Sequence, residues 1–132
     1  MKFAKFAIVA LLMPLIFVSC SKDKDDDAVL PVEGNWSGFY GFDNDSPAIT
    51  YKLNIKHGGV IEEVNSSGQV KGTGNWNFSG NTLTAHYKWA APLNTAYTVT
   101  AVYDAATKKL TGTWGYDNSG TDGGKWEATK AN

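Results

Sequence analysis

From Trp36 onward the apolar residues of this 132-residue chain recur at every second position, a periodicity that leaves little besides sheet for it to form. Ile49, Tyr51, Leu53 and Ile55 alternate with Thr50, Lys52, Asn54 and Lys56. Leu83, Ala85, Tyr87 and Trp89 alternate with Thr82, Thr84, His86 and Lys88, and Tyr97, Val99, Ala101 and Tyr103 with Thr98, Thr100, Val102 and Asp104. Leu110, Gly112, Trp114 and Tyr116 repeat the pattern. Successive strand side chains point to opposite faces, so each run describes a strand with one buried and one wet side. A helix needs apolar spacing of three and four, and no helical length of it follows residue 28.

Between the runs stand short clusters of Gly, Asn, Asp, Ser and Pro: Asp43 to Pro47, His57-Gly58-Gly59, Asn65 to Gly68, Ser79-Gly80-Asn81, Pro92 to Asn94, Ala105 to Thr107 and Asn118 to Gly123. Gly, Asn and Asp tolerate the positive φ that tight hairpins require. The pattern predicts eight strands, at 34–42, 48–56, 59–65, 69–78, 81–90, 95–104, 108–116 and 123–130. Short connections pair each strand with the next. The expected fold is therefore all-β, an eight-stranded antiparallel up-and-down β-barrel, in which closure removes both free edges. A β-sandwich of two four-stranded sheets is the rival.

Four of the five tryptophans close the same tripeptide: Gly34-Asn35-Trp36, Gly74-Asn75-Trp76, Gly112-Thr113-Trp114 and Gly124-Lys125-Trp126. Each Gly lies beside its Trp on one face and leaves room that an indole can fill, and alternating small and large residues suit a tapered barrel interior. Glycine also lets a strand bend sharply. Core packing accounts for all four.

The first tripeptide, on the first strand of an eight-stranded meander, resembles the Gly-x-Trp signature of the lipocalins. Its repetition with short loops is similar to the compact avidin-type members of the wider calycin group. The resemblance implies a calycin-like barrel with Trp36 plugging the closed end and inward aromatics walling a ligand pocket. It implies no particular ligand, since the polar residues that grip biotin in avidins have no matching positions here. A lipocalin's C-terminal helix also has no counterpart in this periodicity.

The N-terminus carries a different message. Lys2 and Lys5 precede an apolar run from Phe6 to Val18, broken only by Pro14. At about a dozen residues it falls short of the roughly twenty that span a bilayer, and reads as a cleaved export signal. The segment Phe17-Val18-Ser19-Cys20 resembles the lipobox of bacterial lipoproteins, with Phe17 and Ser19 standing where that family more often has Leu and Ala or Gly. The resemblance implies a signal at residues 1–19 and lipidation of Cys20, the chain's single cysteine. Two or more acyl chains would hold the protein at a membrane where one would not. Ser21-Lys22-Asp23-Lys24-Asp25-Asp26-Asp27 contains nothing that can pack and is expected to be a solvated tether over residues 20–27. It is similar to the acidic export signal of Bacteroidetes surface lipoproteins. This implies an outer-membrane protein facing the cell surface; the periplasmic face is the alternative. The β domain then occupies residues 28–132.

Composition removes several functions. The four Lys and four Asp before residue 28 set aside, eight Lys face nine Asp and Glu, and there is no arginine. Nucleic acid is not an expected partner, for want of a basic patch or a guanidinium fork. The two histidines fall in a Gly-rich turn (His57) and on a polar strand face (His86), where surface positions are expected. Glu62 and Glu63 are neighbours and point to opposite faces, so they form no carboxylate pair. No nucleophile elbow, His-x-x-x-His pair or phosphate loop appears. Asp43-Asn44-Asp45 and the Asp117 to Asp122 loop lack the spacing of a calcium loop. The chain is expected to be no enzyme and to hold no metal or cofactor.

What remains is binding. The inward aromatic set, Trp36, Tyr40, Tyr51, Trp76, Tyr87, Trp89, Tyr97, Tyr103 and Trp114, is expected to surround a small apolar or aromatic ligand. The same residues can also fill a barrel shut. In that case function moves outward, to a glycan or protein bound by the Thr-rich face around Phe39, or to an inhibitor or scaffold role.

Overall fold

A computed structural model describes residues 28–131, among which eight strands and no helix occur. They are β1 (Gly34–Tyr40), β2 (Ile49–Lys56), β3 (Val60–Val64), β4 (Val70–Ser79), β5 (Thr82–Trp89), β6 (Ala96–Asp104), β7 (Lys109–Tyr116) and β8 (Gly124–Lys130). Every boundary falls within two residues of the sequence expectation. The export signal, Cys20 and the tether lie outside the described residues.

Each strand pairs antiparallel with the next, and β8 returns to β1 to close the barrel. The closing ladder runs from Trp36 opposite Lys130 to Tyr40 opposite Trp126. It rules out the sandwich, which would leave these two strands as free edges.

Inward positions of all eight strands supply one core. Trp36, Leu53, Ile55, Ile61, Leu83, Val99, Leu110 and Trp126 are almost wholly buried. Each such side chain contributes about 1.5–3 kcal/mol through the surface it removes from water. The two glycines of the repeated tripeptide on β4 and β7 serve a tighter purpose than leaving room for an indole. A Cβ at Gly74 would overlap the His86 carbonyl on β5, and one at Gly112 the Thr100 carbonyl on β6. Neighbouring backbone, rather than a ring, occupies the space these residues leave, because the strands coil closely as the barrel closes.

The barrel's ends differ. Where β1 begins, Trp36 acts as a stopper: its indole N–H donates to the Val32 carbonyl at 2.8 Å. Its ring meets Tyr103 edge-on at 6.2 Å, and Tyr103 meets Phe78 at 6.3 Å. Trp76 lies half-buried at the same end and donates to the Lys56 carbonyl at 2.8 Å. At the other end the β3–β4 ladder breaks step: Glu63 faces Gly72 while Val64 faces Val70, leaving Lys71 as the extra residue of a β-bulge.

Candidate functional site

The end opposite the Trp36 stopper is ringed by the connections 41–48, 65–69, 90–95 and 117–123. Beneath them opens a cavity of about 120 Å³. Six of the nine predicted residues line it: Tyr40, Tyr51, Tyr87, Trp89, Tyr97 and Trp114. Trp36, Trp76 and Tyr103 do not, because they lie at the far ends of their strands, in or beside the stopper. Three lining residues went unpredicted: Phe42, Glu63 and Tyr116.

The walls are aromatic and mutually braced. Trp114 is met edge-on by Tyr40 at 5.6 Å, by Phe42 at 5.5 Å and by Tyr116 at 5.3 Å. Its indole N–H donates to the Gly41 carbonyl at 3.0 Å, tying the 41–48 loop to β7. Tyr97 meets Trp114 at 5.9 Å and lies 5.1 Å from Trp89, which continues the aromatic wall onto β5. Such ring pairs each add about 0.5–1.5 kcal/mol beyond their buried area, which holds the walls in place without a ligand.

The polar part of the lining centres on Glu63, which is only 5% exposed. Its Oε1 accepts from the Tyr87 hydroxyl at 2.7 Å and from the Trp89 indole N–H at 2.9 Å. Its Oε2 faces the Lys71 ammonium at 3.2 Å. The Tyr87 proton is committed to Glu63, so in the 2.6 Å contact between the Tyr51 and Tyr87 hydroxyls Tyr51 is the donor. Burial pushes both phenols well above their ordinary range; the Glu63 charge adds to the effect on each, and the neighbouring Tyr51 to that on Tyr87. They are therefore neutral hydroxyls at physiological pH.

Glu63 enters the cavity because period two from the buried Ile61 carries it inward, while Glu62 turns out and pairs with Lys56 at 3.1 Å. The adjacency of two glutamates was the available signal: one of them had to face the interior.

The remaining titratable candidates lie elsewhere. His57 contacts Glu33 at 3.0 Å near the stopper end, and His86 contacts the Thr98 hydroxyl at 2.8 Å; neither lines the cavity. Among the described residues no three His, Cys, Asp or Glu side chains group as a metal site would require. The cavity can thus enclose a ring-sized apolar group and accept a hydrogen bond from a polar substituent on it. No family model, curated protein or solved structure matches the chain.

Proposed function

We propose that this chain is a lipid-anchored envelope lipoprotein whose barrel binds a small apolar or aromatic molecule at its open end. The observation that carries the binding reading is the aromatic cavity itself, open at one end of a barrel stoppered at the other. A core built only for stability would gain from filling that space. Volume restricts the ligand: a closed cavity of about 150 Å³ holds a benzene ring. At about 120 Å³ the enclosed part is one ring or a branched group, with the rest of the ligand emerging past Phe42 and Tyr116. Retinoid- or fatty-acid-sized ligands do not fit inside.

The anchoring reading rests on Cys20 in its lipobox-like setting and on the acidic run behind it, which also supports display at the outer surface. A domain on a tether at the cell boundary is well placed to meet small molecules from the medium. The outer sheet face offers less to a glycan or protein. Exposed Phe39 stands between Thr50 and Glu127, and exposed Val102 between Thr82 and Thr111, each flanked in register by polar neighbours.

Native mass spectrometry of the protein isolated from its own host, followed by titration of tryptophan fluorescence with the released compound, tests the binding reading. Retention of a small ring-bearing molecule that perturbs Trp89 and Trp114 is the expected result. Labelling with a palmitate analogue, lost in Cys20→Ala, tests the anchor.

A further inference from the structure

The hydrogen-bond polarity of the cavity specifies a ligand class. We infer that the site takes a small organic ammonium with a compact apolar or aromatic body, and that Lys71 is its built-in competitor. This rests on the reading of the barrel as a small-molecule binder and narrows it.

A carboxylate accepts and never donates, so Glu63 draws the protons of its neighbours toward itself. Tyr87 and Trp89 donate to Oε1, Tyr51 donates to Tyr87, and the Trp114 N–H is spent on the Gly41 carbonyl. The donors around Glu63 are therefore consumed, and the hydroxyls of Tyr40, Tyr97 and Tyr116, on less buried residues of the lining, are the ones left over. What faces a ligand there is a surplus of acceptor capacity, on the Tyr51 oxygen and on Glu63 Oε2, surrounded by the electron-rich faces of tyrosines and tryptophans. Glu63 carries the only formal charge in the lining. An anion or a pure acceptor meets only the remaining phenol hydroxyls and must approach the Glu63 carboxylate, whereas an ammonium finds a carboxylate, a phenolic oxygen and π-faces together.

The structure already holds an ammonium in that setting. The Lys71 Nζ lies 3.2 Å from Glu63 Oε2 and 4.5 Å from the centre of the Trp89 ring. It gets there through the β-bulge. As the extra residue opposite Glu63 and Val64, Lys71 escapes the alternation that would send it outward with Thr73 and Asn75. Its side chain remains 38% exposed at the mouth, so it can swing into water without unfolding anything. An arriving ammonium would exchange with it, keeping Glu63 paired throughout, and would add the burial of its own body among the rings.

Two probes of nearly equal shape, benzylammonium and benzyl alcohol, are titrated into the full chain while the indole N–H signals of Trp89 and Trp114 are followed by NMR. Benzylammonium is expected to bind at least tenfold more tightly than the alcohol. Glu63→Gln keeps acceptor and shape and should erase that preference while still binding the alcohol. Lys71→Met removes the competitor and should tighten benzylammonium severalfold, leaving the alcohol unchanged. If the wild-type protein binds both probes equally, or prefers the alcohol, the ammonium inference is wrong and the binding barrel survives. Silence from both probes overturns the binding reading itself. A weaker benzylammonium affinity in Lys71→Met would make Lys71 part of the site and not its competitor.

Discussion

Trp36 carries three constraints in one side chain. It fills one end of the barrel, its ring braces Tyr103, and its N–H satisfies the carbonyl of buried Val32, so that the segment before β1 is tied to the barrel. Trp36→Phe keeps a ring but leaves that carbonyl without its partner and opens a void the size of the missing pyrrole. Both effects destabilise, together by about 2–3 kcal/mol. Urea unfolding should show a lower midpoint at unchanged slope, whereas probe binding at the opposite end should be unaffected. Loss of binding without loss of stability would contradict the separation of stopper and site. Trp36 was readable from its tripeptide; Glu63 was not readable as the centre of the site. Its adjacency to Glu62 placed one carboxylate inside, but its partners Tyr87 and Trp89 lie 24 and 26 residues away. Contacts at that separation are set by how the sheet curls, and neither spacing nor composition encodes that in a single chain.

The strands themselves were legible because one wet and one dry face force the alternation, and a slip by one residue would invert it. Leu83 to Trp89 shows it without interruption, and Tyr97 to Tyr103 breaks it only at the outward Val102. The bulge at Lys71 was not legible: an inserted residue changes the phase of the ladder without changing the residue types around it. The role of the tripeptide glycines was half legible. Their position beside tryptophan was plain, but the crowding at Gly74 comes from β5 and at Gly112 from β6. Gly112→Ala therefore forces β6 and β7 apart at a point where the Ala101 and Thr100 backbone lies against it. A destabilisation of about 3 kcal/mol is expected, at the upper end of what overpacking costs. Hydrogen exchange should show β6 and β7 amides opening first. Gly80→Ala is the control for a turn glycine: there a Cβ meets open space, and only its φ of 65° is strained. Its cost should stay near 1 kcal/mol.

Closure gives the barrel no free edge, and the chain's polar interior is gathered at one end of it. That concentration predicts how the fold fails in alkali. Tyr51 and Tyr87 have folded-state pKa values raised above the unfolded value near 10, first by burial and then by the surrounding Glu63 and tyrosine charges. Below pH 10 both phenols are neutral in either state and their contribution to stability is complete. Above it the unfolded chain releases protons that the folded chain retains, so stability falls as pH rises from about 10 toward the folded values, by up to about 1.4 kcal/mol per pH unit for each phenol. The urea midpoint should therefore be insensitive to these two residues through neutral pH and decline steeply beyond 10. Tyr51→Phe isolates one share, because Tyr87 keeps its bond to Glu63 and loses only a donor from Tyr51. Its decline should be shallower by up to one phenol's slope. Ultraviolet titration gives the companion measurement: Tyr51 and Tyr87 should ionise only as the barrel unfolds. If Tyr51 and Tyr87 ionise reversibly in the folded protein near pH 10, water reaches the floor of the cavity. The buried hydrogen-bond chain from Tyr51 to Glu63 would then not exist as a dry network.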